Sequence, residues 1–321
     1  MTQRALVTGG AGFAAQWLER ALLERGWEVS GAGLGVPPRP SILGDAELRS
    51  IRWIEMDVRR SADIARALDA ARADAVFHLA GIAFVPAAAA DPGEAYEVNV
   101  VGAVRLLGAV DQRRRAGVTD PVVLVVGSGE QYGRHEAGDL PLAEAAAQCP
   151  LSVYAASKAA QEVAALHAAR TQGLRVVATR SFNHSGPGQA GHFLLPALVA
   201  RALEARADGR RAVAIGNREP IRDYLHVEDV AAAYLALAER GEAGQVYNVC
   251  SGEGVAVGEL AATVLQRVGV RADITTDPSL VRPVDLPALV GSPAKLRRAT
   301  GWSPRRTRAD IIDDLIYAQA R

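Results

Sequence analysis

The feature that most constrains this fold is a glycine-rich turn directly after the first apolar segment. "RALVTGG" (4–10) is an apolar run that ends in glycines, and residues 11–25 carry apolar positions at helical spacing. The order strand, turn, helix puts Gly9 and Gly12 at the mouth of a helix, where free N–H groups and the helix dipole bind a pyrophosphate. Spaced glycines alone also form ordinary turns. Their position after the first strand is what favours a dinucleotide site.

Strands and helices continue to alternate through the first half of the chain, which favours a parallel sheet covered by helices on both faces. The predicted strands are 27–33, 51–58, 75–81, 121–128 and 174–181, with helices over about 61–72, 93–116 and 151–171. After a loop rich in Gly, Pro and His at 181–193, strands and helices no longer alternate regularly. There we expect helices over about 193–207, 227–240, 256–269, 292–300 and 307–320, and strands at 212–216 and 245–249.

These patterns predict an α/β fold: a Rossmann-like, doubly wound parallel sheet with a smaller C-terminal substrate-binding lobe. We expect residues 1–183, with about 221–250, to form the dinucleotide-binding domain, and residues 184–220 and 251–321 to form the second lobe. The cleft between the two lobes is the expected site.

The charge balance and the cysteine count give no sign of nucleic-acid binding, membrane binding, a disulfide framework or a metal site. The 36 basic residues are matched by 36 acidic ones, so no global field favours nucleic acid or an anionic membrane. Cys149 and Cys250 predict neither a disulfide framework nor a metal site. The first strand starts almost at Met1 and no apolar run is long enough to span a bilayer, so we expect a cytoplasmic protein without nucleic-acid or membrane partners.

The segment "YAASK" places Tyr154 and Lys158 four residues apart on one face of a predicted helix. A free phenol has a pKa of about 10, and a nearby ammonium lowers it toward neutrality. The alternative is that Tyr154 and Lys158 lie on a solvated helix face and have no catalytic role. Lys158 is one of only two lysines among 36 basic residues, which favours chemistry that guanidinium cannot perform.

The end of the second strand bears on the choice of cofactor. An NAD-selective site usually carries Asp or Glu there for the ribose 2′-hydroxyl. This chain has Ala32, Gly33 and Leu34 instead, and Arg39 follows within reach of a 2′-phosphate. We therefore expect NADPH to be accepted at least as well as NADH.

Seven motifs occur in the order and spacing of one known family: "TGGAGF", "HLAG", "NVVG", "GSGEQYG", "YAASK", "FNHSGPGQ" and "RDYLHVEDV". On these motifs the whole chain resembles the extended short-chain dehydrogenases/reductases that act on nucleotide sugars. The segments "VYNVCSG" and "RPVDLPALVGSPAKLRRATGWSP" are similar to the branch that acts on GDP-mannose derivatives.

The resemblance implies a role for each matching position, and it implies no metal. The catalytic group would be Ser128, Tyr154, Lys158 and Glu130. The cofactor would lie against Gly9, Gly12, Phe13, Asp57, Val58, Leu79, Ala80, Asn99, Tyr154 and Lys158. The nucleotide sugar would lie against Ser128, Glu130, Asn183, Asn217, Arg222, Arg282 and Asp285. Alternatives without a role in binding remain open. Arg222 could form a structural ion pair with Asp223, and His184 and His192 could be loop residues without chemistry.

Three functions stay open at this point. The first is NAD(P)H-dependent reduction of the 4-keto group of a GDP-4-keto-6-deoxy-hexose, in which Glu130 is a substrate ligand. The second is a 4,6-dehydratase or 4-epimerase with tightly held NAD(P), in which Glu130 is a base. The third is a non-catalytic dinucleotide-binding protein. The family likeness also implies a homodimer, built on the helices at 93–116 and 151–171.

Overall fold

A large parallel sheet forms the first layer of the fold. The computed structural model describes residues 2–37, 41–281 and 285–320. Within these ranges the sheet has seven strands: β1 (Arg4–Thr8), β2 (Glu28–Gly33), β3 (Arg52–Glu55), β4 (Ala75–His78), β5 (Val122–Ser128), β6 (Val176–Ser181) and β10 (Val246–Val249). Their order is β10-β6-β5-β4-β1-β2-β3, and every neighbouring pair is parallel. The predicted Rossmann-like α/β fold is confirmed.

Helices cover both faces of this sheet and build most of the second lobe. They are α1 (Phe13–Glu24), α2 (Asp45–Ser50), α3 (Ser61–Ala71), α4 (Val85–Ala90), α5 (Pro92–Tyr96), α6 (Gly102–Arg115), α7 (Val153–Gln172), α8 (Leu194–Asp208), α9 (Val227–Arg240), α10 (Val257–Val268), α11 (Ala294–Thr300) and α12 (Arg308–Gln319). Short 3-10 turns occupy Gly129–Tyr132, Ala137–Asp139 and Pro278–Leu280. No helix in the ranges that the structure describes combines the length and the apolar character needed to cross a membrane.

The central strands are buried on both faces, which explains their continuous apolar sequence. In β1, Ala5 and Val7 enter the core beneath α1 and α9, whereas Leu6 enters the opposite core beneath α3 and α6. The strand order reverses between β1 and β4, so the loops after these two strands part at the carboxyl edge of the sheet. Such a switch point is where open α/β sheets bind their ligands.

The smaller lobe is built around a central strand, β9 (Ile221–His226). It pairs with β7 (Asn183–Ser185), β11 (Gly254–Ala256) and β13 (Ala288–Leu289), while β8 (Ala212–Ile215) pairs separately with β12 (Asp273–Thr276). Helices α8, α10 and α12 enclose its own apolar core. Within the predicted segment 221–250, β9 therefore belongs to the small sheet and β10 to the large one.

The predicted helix over 93–116 is present over residues 92–115, but it is not a regular α-helix throughout. The structure has α5, then a π-helical turn over Glu97–Val101, then α6. The turn carries the fully buried Asn99, whose side chain bonds to Ile82 and to Ser157. A π turn inserts an extra residue and re-aims the side chains around it, and such turns are frequent at functional sites. Residue periodicity cannot reveal it, because both flanking segments keep a helical pattern.

Candidate active site

The glycine turn after β1 is shaped for close backbone approach. Gly9 has a φ of +71°, and its N–H donates to the carbonyl of Ala32 at 2.7 Å. A Cβ at Gly9 would lie 2.9 Å from the backbone of Ala80, so only glycine fits there. Gly12 is the N-cap of α1, which begins at Phe13, and the first N–H groups of that helix have no partner within the helix. The turn therefore offers donors and a positive dipole end to an anion.

The loop after β4 lies directly beside this turn. Thr8 at the end of β1 binds it twice, through its carbonyl to the N–H of Leu79 and through its hydroxyl to the N–H of Ala80, each at 3.2 Å. Farther along the loop, Asn99 accepts from the N–H of Ile82 at 2.8 Å and donates to the Ser157 hydroxyl at 2.9 Å. Asn99 is thus a clamp between this loop and α7.

Ser128 and Tyr154 meet at the carboxyl edge of the sheet. Ser128 ends β5, and Tyr154 lies in the first turn of α7. Burial raises the pKa of Tyr154 to about 12; a side-chain hydrogen bond with Ser128 opposes that rise and the Glu130 carboxylate adds to it. The phenol is therefore protonated at neutral pH, which suits a group that donates a proton.

Lys158 lies one helical turn beyond Tyr154 and is buried, with 5% of its surface exposed. Burial lowers the pKa of its ammonium to about 7, and its Nζ donates to Gln161 Oε1 at 2.7 Å. The Lys158 charge also contributes, after burial, to lowering the pKa of His78 to about 3. The predicted pair Tyr154 and Lys158 thus lies at the sheet edge as expected, near the loop that follows β4.

Glu130 faces a cavity that leads away from Tyr154 toward the smaller lobe. It is half-buried, and it lines this cavity together with Ser152, Arg222 and Asp285. Arg222 and Asp285 also line a second cavity that contains Asn183 and Asn217. The structure therefore brings four predicted substrate residues to two cavities that share Arg222 and Asp285, and Glu130 lines one of these cavities.

An ion pair joins these two cavities. The Arg222 guanidinium binds the carboxylate of Asp285 and donates to the carbonyl of Leu286 at 2.7 Å. Arg222 does not pair with its neighbour Asp223. Instead Asp223 is buried and binds the backbone of Ser251 and Gly252 at 2.8 and 2.9 Å, so the alternative of an Arg222–Asp223 pair is wrong.

The predicted adenine contacts lie at the far end of the same sheet edge. Asp57 follows β3, and the hydrogen bonds from Arg59 hold the pKa of its carboxyl below the usual range. Val58 is buried and packs against Gly102 at the start of α6. Phe13 stacks on His184, with ring centroids 6.1 Å apart, which joins the glycine turn to the smaller lobe. Two predicted residues, Arg39 and Arg282, lie outside the described residues.

Comparison with known proteins identifies the family. The model of the GDP-mannose 4,6-dehydratase family matches residues 6–315. The chain belongs to this family. It is 36% identical to GDP-6-deoxy-D-mannose reductase of Pseudomonas aeruginosa over 96% of this chain and 94% of that protein. It is 32% identical to UDP-glucose 4-epimerase of Azospirillum brasilense over 96% and 89%. The solved structure of RMD from Pseudomonas aeruginosa complexed with NADPH superposes with a TM-score of 0.81 at 30% identity, covering 98% of both chains.

Several residues of this family member were missed at the sequence level. Gln131, Glu162 and Arg180 form a buried hydrogen-bonded group behind Ser128. His184, treated as a loop residue, lines the second cavity and stacks on Phe13. In the described part of the chain no group of three metal-ligating side chains converges.

Proposed function

We propose that this protein catalyses NAD(P)H-dependent reduction of the 4-keto group of a GDP-4-keto-6-deoxy-hexose, forming a GDP-6-deoxy-hexose such as GDP-D-rhamnose. The observation that carries this proposal is the grouping of Ser128 and Glu130 around the Tyr154 phenol, beside a cavity that Glu130 lines together with Arg222 and Asp285. The family similarity supports it, because the Pseudomonas relative is a GDP-6-deoxy-D-mannose reductase.

The residues of this chain fit a nicotinamide dinucleotide. Gly9 has no room for a side chain against Ala80, so the backbone of the turn is open to a pyrophosphate at the start of α1. At the other end, β2 stops at Gly33 and the exposed Leu34, without an acidic side chain for a ribose 2′-hydroxyl. NADPH is therefore accepted at least as well as NADH. Phe13, Leu79, Ala80, Asn99 and Lys158 would line the cofactor between these ends.

Tyr154 is the proposed acid of the reaction. When bound, the cofactor supplies the hydride that the C4 carbonyl carbon accepts. Tyr154 gives its proton to the oxygen at C4, and the Ser128 hydroxyl donates a hydrogen bond to the same oxygen. Lys158 stabilises the phenolate that remains until water returns the proton.

The smaller lobe is the proposed nucleotide-sugar site. The Arg222 guanidinium has donors in a planar fork, which suits the diphosphate of a nucleotide sugar. Asp285 offers carboxylate oxygens for ribose hydroxyls, and the amides of Asn183 and Asn217 border the same cavity. Arg282 is assigned to the diphosphate by its motif alone.

The deciding assay is absorbance at 340 nm with GDP-4-keto-6-deoxy-mannose and NADPH, repeated with NADH. We expect a fall that requires both the enzyme and the sugar, with NADPH at least as effective as NADH. No fall with either cofactor would reject the reductase. A clear preference for NADH would reject the assignment of cofactor preference alone.

A 4,6-dehydratase or 4-epimerase with retained NAD(P) is the second candidate, favoured by the position of Glu130 beside the Tyr154 phenol. A dehydratase also needs an acid for the departing water, and the preceding residue is Gly129. A Cβ there would lie 3.0 Å from the Phe182 ring, so this position is packed rather than open to a longer side chain. Cofactor that stays bound through purification, and water loss from GDP-mannose that Glu130→Gln abolishes, would establish this candidate.

A homodimer is the proposed assembly. Helices α6 and α7 pack side by side, and Val104 and Val163 on them are 49% and 64% exposed, with Tyr96 nearby at 40%. Exposed apolar residues on adjacent helices are typical of a subunit interface. Light scattering at micromolar concentration should give twice the 33.8 kDa chain mass. A monomeric mass would reject the dimer. We propose the cytoplasm as the location, with no nucleic-acid or membrane partner.

A further inference from the structure

The turn that carries Ser128 and Glu130 is tied to α7 by one buried amide. Gln131 is fully buried, and its Oε1 accepts a hydrogen bond from the backbone N–H of Ser128 at 2.7 Å. Its Nε2 donates to Glu162 Oε2 at 2.8 Å. A single side chain therefore joins the end of β5 to the helix that carries Tyr154.

Glu162 is itself held rigidly. Its carboxylate is 3% exposed, and it accepts two hydrogen bonds from the Arg180 guanidinium at 2.7 and 2.9 Å. Gln148 donates a further bond to it at 2.7 Å. Buried charges that are paired and hydrogen-bonded in this way are costly to move, because any displacement leaves a charge without its partner. Glu162 is thus a fixed anchor for Gln131.

Glu162 lies on the same face of α7 as the proposed catalytic residues. Tyr154, Lys158 and Glu162 are successive members of an i, i+4, i+8 series, so they lie along one stripe of the helix. Gln131 binds the third member of that stripe and Ser128 meets the first. Gln131 therefore adds a second link between the Ser128 turn and α7, beside the direct hydrogen bond between Ser128 and Tyr154.

The surroundings of Gln131 fit this role. A Cβ at Gly127 would lie 2.5 Å from Gln131 Oε1, so the glycine leaves the space that the amide occupies. The next residue, Tyr132, is fixed from the other side. Its hydroxyl donates to Asn248 Oδ1 at 2.7 Å, and the Arg180 guanidinium lies 4.7 Å from its ring centroid.

We propose that Gln131 is a positioning residue, which holds the Ser128 and Glu130 turn at the distance from Tyr154 that proton transfer requires. It touches neither cofactor nor substrate and acts through the backbone of Ser128. The kinetic part of this inference rests on the proposed reductase activity. The structural part does not, because it concerns only the relation of β5 to α7.

The first test compares Gln131→Met with Gln148→Met in the 340 nm assay. Both variants remove a hydrogen bond to Glu162, and Gln148 Oε1 also accepts from Gln131 Nε2 at 3.2 Å, but only Gln131 is bonded to the backbone of Ser128. Misplacing a catalytic group by about 1 Å costs up to about 100-fold in rate. We expect kcat of Gln131→Met to fall at least about ten-fold with KM for NADPH within about two-fold, and Gln148→Met to stay within about two-fold of wild type. Equal losses of kcat in both variants, or no loss in Gln131→Met, would overturn the proposal.

A second variant, Gln131→Glu, keeps the proposal testable if Gln131→Met does not fold. When protonated, the introduced carboxyl can accept from Ser128 and donate to Glu162 as the amide does, whereas its ionised form repels the Glu162 carboxylate. The charged and titratable groups around this position are Glu162 on α7, Arg180 on β6 and the Tyr132 phenol. We expect kcat relative to wild type to fall at least about ten-fold between pH 5.5 and pH 8.5. A ratio that is flat across this range contradicts the proposed role.

Crystal structures of wild type and of a folded Gln131 variant separate this inference from the reductase assignment. If the wild type consumes no NADPH with the sugar, the proposed function fails and the coordinates still decide the inference. A Ser128 hydroxyl displaced by about 1 Å or more from its place beside Tyr154 supports the positioning role. An unmoved Ser128 rejects it.

Discussion

At the scale of single residues, the site depends on protonation states set by burial. With a pKa of about 12, the Tyr154 phenol keeps its proton at neutral pH, and it loses that proton readily only when a reaction draws it away. Lys158, with a pKa of about 7, is the cation closest along the helix. At neutral pH the phenol is therefore in the protonated form, which is the form that the proposed reduction needs at the start of the reaction.

Replacing the Tyr154 phenol tests this assignment directly. Tyr154→Phe removes the proton donor but keeps the ring, so we expect kcat to fall about 10²- to 10⁴-fold. NADPH affinity, measured by fluorescence titration, should remain within about three-fold, because the glycine turn is unchanged. If the variant keeps wild-type turnover, the phenol is not the acid, and a protein that only binds dinucleotide becomes the better description.

A second residue-scale prediction concerns Glu19, which is fully buried in α1 beneath the glycine turn. Neither carboxyl oxygen has a hydrogen-bond partner among the described residues, and Oε1 fills the space where a Cβ on Gly10 or Gly31 would lie. Burial raises the pKa of this carboxyl from 4.5 to about 9. Between those values the folded protein holds a proton that the unfolded chain releases, so this group lowers the free energy of unfolding as pH rises from 4.5 toward 9.

Glu19→Gln removes that titration. We expect the free energy of unfolding of wild type to fall relative to the variant by on the order of 1 kcal/mol per pH unit between about pH 5 and pH 9, measured by urea denaturation. Glu24→Gln, an exposed position on the same helix, is the matched control and should show no such trend. Parallel stability curves for wild type and Glu19→Gln would show that Glu19 finds a partner or water in solution.

At the scale of elements, the π turn between α5 and α6 determines how the loop after β4 meets α7. The buried Asn99 reaches both from this turn, and the loop it holds runs past Lys158. A Cβ at Gly81 would lie 2.8 Å from Asn99 Oδ1 and 3.8 Å from Lys158 Nζ. The irregular turn therefore places one amide where three elements converge.

Asn99→Ala tests this clamp. It removes the acceptor of the half-buried Ile82 N–H and the donor to the Ser157 hydroxyl, and two lost hydrogen bonds together cost about 1–3 kcal/mol. We expect the free energy of unfolding to fall by that amount and the affinity for NADPH to weaken, measured by urea denaturation and fluorescence titration. Gln112→Ala, an exposed position on α6, should change neither quantity. Unchanged stability together with unchanged cofactor affinity would show that Asn99 does not fix the loop after β4 against α7.

At the scale of the whole molecule, the large sheet and the smaller lobe meet at the cavity that Glu130 and Arg222 both line. Arg222 comes from β9 and Asp285 from the segment before β13, so their ion pair forms inside the smaller lobe. Glu130, Ser128 and Tyr154 come from the large sheet and its helices. The proposed function therefore assigns substrate binding and proton transfer to different lobes.

Arg222→Met tests this division of roles. The variant keeps the apolar stem but loses the fork that would hold a diphosphate. We expect KM for the nucleotide sugar to rise at least about ten-fold while the Kd for NADPH stays within about two-fold. Arg267→Met, which breaks the exposed Arg267–Asp313 pair on the outside of the same lobe, is the matched control and should leave both constants unchanged. A larger effect on NADPH than on the sugar would place Arg222 at the cofactor instead.

The sequence by itself determined the features that depend on short spacings. A glycine turn joins a strand to a helix, and two residues four apart on a helix share a face, so the sequence predicted the local placement of Gly9, Gly12, Tyr154 and Lys158 that the structure has. Their functional roles stay predictions. Alternating apolar segments predicted the parallel sheet for the same reason. Family motifs then located Ser128 and Glu130 beside Tyr154.

Only the tertiary structure decided which polar groups pair across the chain. Arg222 binds Asp285, 63 residues away, rather than the adjacent Asp223, and Gln131 binds Glu162, 31 residues away. The π turn at Asn99 and the burial of Glu19 belong to the same class. In each case the partner or environment depends on how distant elements pack, because a buried polar group is stabilised by whatever donor or acceptor the fold brings within about 3 Å. The spacing of residues along the chain does not indicate which distant groups the fold will bring within hydrogen-bonding distance.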